Sequence, residues 1–419
     1  MLSKKALIGA WIVVGCTAAN AQTSTNSPYT RYGLGDLSHQ AFANNAAMGG
    51  IGYGLRDKSH INTLNPASFS SVDSLSFMFD TGMTFKMSNY KENNVKTNAN
   101  NASFDYLAMQ FRVHPRIGVA FGFLPYSQVG YQFSHSQPVA GKETVTMTNL
   151  FTGEGGLHEI FGGVGVKVFK NLSAGVRAGY LYGNIDYQTQ SGVDVVSDLS
   201  IVYNSIKVRT YKMDFGLQYT YELDKANQLT FGVTYGLGHK LNTKETKGVQ
   251  ITDQSSFSNV NDTIVSDSYG MPHTFGFGVA FNHKRKLTVG MDYTLQKWGD
   301  VLYDNRKGMY KDRHRVALGA EYLPNPFAKN YLKRIRYRAG TYYSSPYLQL
   351  AQGEGPAEFG VSAGFGFPLY LFQRNTILSL TGQFVHTKPS VSTMLSENRF
   401  EIKLGLTFNE RWFAKWKVN

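Results

Sequence analysis

From Ser74 onward the chain alternates apolar with small or polar residues at a period of two. It does so in fourteen segments, about 74–89, 103–113, 117–134, 157–170, 172–187, 207–222, 229–243, 271–282, 286–299, 312–323, 334–345, 358–372, 375–388 and 397–410. A period of two puts successive side chains on opposite faces of a strand. In the first segment Leu75, Phe77, Phe79, Met83 and Phe85 alternate with Ser76, Asp80, Gly82 and Lys86. In the eighth, Phe275, Phe277, Val279 and Phe281 alternate with Gly276, Gly278 and Ala280. A soluble sandwich does not carry aromatic and aliphatic side chains on the outer face of nearly every strand. The pattern predicts an all-β fold, a 14-stranded antiparallel transmembrane barrel with apolar residues outward.

The connections alternate too. Tight turns fall at His114-Pro115-Arg116, Asn171, Asp224 to Asn227, His283-Lys284-Arg285 and Arg374, with a longer one from Pro324 to Lys333. Between them the sequence predicts polar loops at 90–102, 135–156, 188–206, 244–270, 300–311 and 346–357. Short turns at one end and long loops at the other place the first end in the periplasm.

The start of the chain reads as a secretory leader, residues 1–21. Lys4 and Lys5 precede the apolar run Ala6 to Val14, and Ala19-Asn20-Ala21 forms a small-residue cleavage site. A competing reading takes Val13-Val14-Gly15-Cys16 as a lipobox, with Cys16 lipidated. Cleavage after Ala21 removes the only cysteine and two lysines, so the net charge of +13 becomes +11. The basic residues are scattered, as on barrel rims and lumen, and do not form a nucleic-acid stripe. No later run of about 18 apolar residues predicts a membrane helix. No H-E-x-x-H or clustered metal ligands occur, so no enzyme, metal or cofactor is expected.

Residues 22–73 lack the alternation. They are rich in glycine, aromatics and turns, and end in Ile61 to Phe69, where proline fixes the rigid turn Asn65-Pro66-Ala67. Gly49-Gly50-Ile51-Gly52-Tyr53-Gly54 lacks the G-K-[ST] end of a phosphate loop and reads as close-packing backbone. An even strand count returns both sheet ends to the periplasm, so 22–73 can fold up into the lumen as a hatch. The inward glycines permit its close approach. The expected layout is then leader 1–21, hatch 22–73, barrel 74–410 and periplasmic tail 411–419.

The chain resembles the FadL family of outer-membrane transporters for hydrophobic compounds. The resemblance rests on the hatch-plus-fourteen-strand layout and on Asn65, Pro66 and Ala67, which stand where that family has its Asn-Pro-Ala hatch motif. Ser27 to Leu37 also looks like the mature start of a gut-anaerobe branch of the family. The resemblance implies a monomer in the Gram-negative outer membrane, inserted by the barrel-assembly machinery. It would take up fatty-acid-like molecules by lateral diffusion through the wall. A related barrel, the PorV type, implies the alternative of a protein-secretion shuttle or assembly partner.

Candidate site residues follow. Pro125 sits inside the third segment, where proline breaks the ladder, and marks a lateral gate that Asn65 would complete. In that segment Ile117, Val119, Phe121, Phe123, Val129, Tyr131 and Phe133 are expected outward. Phe42, Met48, Leu64 and Phe69 are candidates to line an apolar cavity. Arg334, Arg336 and Arg338 are expected on the inner face of the eleventh segment. There they either hold hatch carboxylates such as Asp36, Asp57 or Asp73, or bind an anionic head group.

Overall fold

The computed structural model describes residues 24–73, 76–92, 94–194, 196–253, 256–350, 353–369, 376–391 and 394–411. The leader, Cys16, the turn at Arg374 and nearly all of the tail lie outside the described residues. The rest is an all-β barrel of fourteen antiparallel strands around an N-terminal hatch. The strands are β1 (Ser76–Glu92), β2 (Val95–His114), β3 (Ile117–Val139), β4 (Lys142–Lys167), β5 (Leu172–Val193), β6 (Val196–Glu222) and β7 (Asn227–Gly236). They continue as β8 (Thr274–His283), β9 (Leu287–Gln296), β10 (Arg313–Tyr322), β11 (Arg336–Ser344), β12 (Ala357–Leu369), β13 (Thr376–Lys388) and β14 (Ser396–Arg411). Each pairs with its neighbours, and β1 closes the barrel on β14 from Ser76↔Arg411 to Lys91↔Ser396. Among the described residues no helix is long and apolar enough to cross a membrane.

Four expected loops are strand instead. Residues 90–102, 135–156, 188–206 and 244–270 largely continue the ladders, so β4 runs for 26 residues and β6 for 27. Thr243–Asp253 and Ser256–Ser266 extend β7 and β8 in the same way, with Thr243–Asp253 paired to β6. Apolar alternation marks only the part of a strand that meets lipid. Above that height water covers both faces, so the hydrogen-bonded ladder goes on without an apolar signature. Loops 297–312, 345–350 and 353–356 remain, and they fold inward over the hatch. Trp298, Tyr310 and Tyr347 pack there within about 5–6 Å of one another, above Leu34.

The third strand corrects a second expectation. Between Pro125 and Ser127 the register against β4 shifts, since Pro125 pairs with His158 and Ser127 with Leu157. Tyr126 is the extra residue of a β-bulge, and one extra residue exchanges the faces of everything after it. Val129 and Tyr131 are therefore buried in the lumen beside Leu34, with Phe133 packed against them. They do not face outward.

Candidate functional site

Residues 24–73 fill the lumen and are held to the wall by four sets of contacts. The first is the Asn65 turn. Pro66–Ser71 forms a 3-10 turn, and Asn65 caps it by accepting from the Ala67 amide at 3.0 Å. The Asn65 amide donates to the carbonyls of Tyr53, at 2.9 Å, and Leu217 on β6, at 3.2 Å. Asn65 thus fastens to β6 and does not complete the strand at Pro125, because its amide is already spent there. The turn lies against glycines of the wall. A Cβ on Gly118 would sit 1.9 Å from the Phe69 carbonyl oxygen, and one on Gly175 would sit 2.3 Å from Pro66.

The second is a ring of ionic contacts near the end with the short turns. Glu321 accepts from Arg336 Nη1 at 2.8 Å and from Arg338 Nε at 2.7 Å. Arg336 also reaches Asp57 of the hatch at 3.5 Å and Ser59 at 3.2 Å. Asp57 meets His60 Nδ1 at 2.6 Å, and His60 Nε2 lies 3.3 Å from Arg338. A neutral His60 with its proton on Nδ1 satisfies both contacts, donating to Asp57 and accepting from Arg338. Burial lowers the proton affinity of His60 more than Asp57 raises it. Burial raises that of Asp57, but Arg336 and His60 outweigh it and hold the carboxyl well below its usual range.

The third is centred on Arg177, whose side chain is 2% exposed. It donates to Asp214 at 2.6 Å, to the Thr63 carbonyl at 3.2 Å and to Gln40 at 2.8 Å. Gln40 in turn donates to Glu159 at 3.0 Å, and Lys212 bonds Asp214. The sequence reading missed this group. Its signal was present, as charged residues at inward positions of β4, β5 and β6. In the fourth, the amides of Gly52 and Tyr53 cradle the Asp292 carboxylate at 2.6 and 2.9 Å. The glycine-rich run holds a carboxylate of the wall in its backbone.

The other expected residues are placed as follows. Phe42 stacks on Tyr106 with ring centroids 3.8 Å apart. Met48 packs with Ile51 and Tyr342, and Phe69 is fully buried. Leu64 borders a cavity of ≈ 170 Å³ together with Tyr53, Arg177, Asp214, Arg313 and Arg315. The four apolar residues therefore do not converge on one apolar chamber. Arg334 is not on the inner face of β11. It ends the 3-10 turn Tyr331–Arg334 below the strand and lies over the Tyr331 ring. Among the suggested carboxylates, Asp57 meets Arg336, Asp36 lies 4.0 Å from Arg399, and Asp73 pairs with Lys58 of the hatch itself.

Pro125 stands at a seam. The β2–β3 ladder runs from His114↔Ile117 to Leu107↔Phe123 and stops. Beyond it β2 pairs only with β1, and β3 only with β4 on its far side. On the β3 lip the hatch supplies a strand of its own. Asp36 and Leu37 pair antiparallel with Gln128 and Ser127, and the Ser38 amide donates to the Tyr126 carbonyl at 3.0 Å. Behind the seam lies a cleft lined by Phe42, Leu124 and Pro125 together with Lys86, Asp105, Arg399, Glu401 and Lys403.

A family profile described as BamG matches residues 1–419, the whole sequence. The chain belongs to the BamG family. Solved structures with the same fold include the P. putida toluene transporter TodX, at a TM-score of 0.62 and 13% identity over 90% of this chain and 100% of that one. The CymD monoaromatic hydrocarbon channel gives 0.59 and 15% over 91% and 100%. A Pseudomonas aeruginosa FadL homologue gives 0.55 and 11% over 88% and 98%. No curated protein matches the chain. This BamG-family chain thus has a FadL-like barrel and hatch, and the two neighbours TodX and CymD are described as a transporter and a channel.

Proposed function

We propose that this BamG-family chain works in the Gram-negative outer membrane as a partner of the barrel-assembly machinery, and not as a conduit. The observation that carries this reading is the polar fastening of the hatch beside the family name. Buried arginines of the wall reach the hatch, Arg338 at His60 and Arg177 at Thr63 and Gln40, and Arg336 pairs with Asp57. The cleft behind the seam sets Lys86, Asp105, Arg399, Glu401 and Lys403 beside Phe42, Leu124 and Pro125, whereas a hydrophobic route is lined predominantly by apolar groups. Hydrogen bonds to charged groups contribute about 1.5–3 kcal/mol each, so a hatch held by several of them resists the displacement that passage requires. The test is purification of the tagged chain from native membranes in mild detergent. Stoichiometric recovery of the central barrel-assembly subunit supports the reading. Recovery of the chain alone, with uptake of a hydrophobic probe lost in a deletion strain, rejects it.

The second reading is uptake of fatty-acid-like molecules by lateral diffusion. It is favoured by the seam at Pro125 and by the hydrocarbon channels that share the fold. Under it Phe42, Met48, Leu64 and Phe69 would have to part to form a path, and Arg336 and Arg338 would meet an anionic head group. Lipid retained in the cleft of the purified protein would support it.

A further inference from the structure

The outer face of β6 changes character at one height. From the short-turn end upward it shows Tyr221, Tyr219, Leu217, Phe215, Met213 and Tyr211, each 37–50% exposed. At a rise of ~3.3 Å per residue and a tilt of ~45°, the run from Tyr221 to Tyr211 climbs roughly 23 Å, against an apolar band of about 25 Å. Tyr211 stands beside Tyr180 of β5, and Tyr180 stacks with Tyr182 at 5.8 Å. Such rings mark a membrane–water interface. Immediately above them the same face carries Arg209 and Lys207, and Lys244 of Thr243–Asp253 stands directly opposite Lys207. All three cations are exposed.

Like charges directly opposite on one face of a ladder repel. No carboxylate among the described residues pairs with Lys207, Arg209 or Lys244. Their partners in register on that face are Tyr182, Asn184 and Ser266, all neutral, and Asp186 lies one row higher, opposite Ser205. The outward residues that follow the apolar run on β10 and β13, His314 and His386, are instead satisfied by Tyr293 and Asn398, at 2.8 and 2.7 Å. A single cation at this height would reach into water. Three together, with no counter-charge from the protein, make a concentrated positive site. The order of apolar side chains, then rings, then cations is that of a lipid taken from its acyl chains to its head group.

We infer that Lys207, Arg209 and Lys244 bind the phosphate groups of an outer-leaflet lipid that carries more than one negative charge. The Arg209 fork suits bidentate contact with phosphate oxygens, and the two lysines add point charges. The acyl chains then lie along Met213 and Phe215. The inference rests on the barrel spanning a membrane and is independent of the choice between assembly and uptake.

The experiment uses the full chain folded in detergent micelles, with bound lipid counted by native mass spectrometry. The probes are a diglucosamine lipid bearing two phosphates, the same lipid with its phosphates removed, and inorganic phosphate. The phosphorylated lipid should bind at least about tenfold more tightly than its dephosphorylated form. Lys207→Gln/Arg209→Gln/Lys244→Gln should abolish that preference, and Lys207→Arg/Lys244→Arg should keep it. The control, Lys284→Gln/Arg285→Gln/Lys286→Gln, removes as many exposed charges at the short-turn end and should also keep it. On the unaltered chain the preference should fall as salt rises. Equal binding of both lipids, an equal loss in the control, or a preference that salt does not weaken overturns the inference. Displacement of the lipid by inorganic phosphate at matched concentration also overturns it, since the site would then be one for the free anion.

Discussion

Glu321 and Arg338 stand directly opposite one another on β10 and β11, and the carboxylate accepts from the guanidinium Nε at 2.7 Å. Both point into the lumen, and the same arginine meets His60 of the hatch. Wall strand, wall strand and hatch thus meet at one buried contact. Arg338→Leu leaves Glu321 and His60 facing a hole, and removing one partner of a buried pair costs about 3–5 kcal/mol. The unfolding temperature of the barrel in detergent should fall. Arg336→Leu should do less, because that side chain is 16% exposed and water can replace part of its role.

The ring also has a pH dependence. Burial depresses the pKa of His60 in the folded chain, so the unfolded chain binds more protons in the window below the free value of about 6.5. Stability from this site is full above that value and is lost as pH falls through the folded pKa. A protonated His60 would turn an N–H toward Arg338 and break the ring. Protease added from the periplasmic side should cut residues 57–73 faster at pH 5 than at pH 7.5. His60→Gln should flatten that difference.

Gly118 and Gly162 provide a matched pair on β3 and β4. A methyl group at 118 would meet the Phe69 carbonyl oxygen at 1.9 Å, whereas one at 162 meets nothing within 4 Å. Overpacking of this kind costs about 1–3 kcal/mol. Gly118→Ala should lower thermal stability and expose the 66–71 turn to protease, and Gly162→Ala should leave both unchanged.

Trp298 is buried under the inward-folded loops, against Tyr310 and Tyr347. Trp298→Ala removes about 3–5 kcal/mol of packing from that cap. Single-channel conductance of small ions should rise, since the cap closes the end opposite the hatch ring. An unchanged conductance would show that the hatch alone seals the lumen.

The fourteen strands and the hatch were legible because lipid imposes apolar alternation at membrane height and the chain breaks it before Ser74. The ladders above that height were not legible, since β4 begins at Lys142, in residues that water permits on both faces. The inversion at Tyr126 was also hidden. Val129, Tyr131 and Phe133 keep their own alternation, and only the pairing with β4 reveals that one residue is extra. Arg336 and Arg338 were placed by period two. Arg334 was not, because its strand starts at Arg336 and the turn before it sets its direction. The role given to Asn65 failed for another reason. Sequence order says nothing about which of fourteen strands a lumen segment touches.

The strand lengths make the two sides of the barrel unequal. At a rise of ~3.3 Å per residue and a tilt of ~45°, the 26 residues of β4 climb roughly 60 Å and the nine of β11 about 21 Å, against an apolar band of about 25 Å. The strands from β1 to β6, with Thr243–Asp253 and Ser256–Ser266, rise above the apolar band as a one-sided screen. The seam lies within that screen, since β2 has 20 residues and β3 has 23. A large body diffusing in from outside is shadowed over that half of the horizon. The rim is low over β9 to β11, across the barrel from the seam, so the open approach and the seam lie on opposite sides.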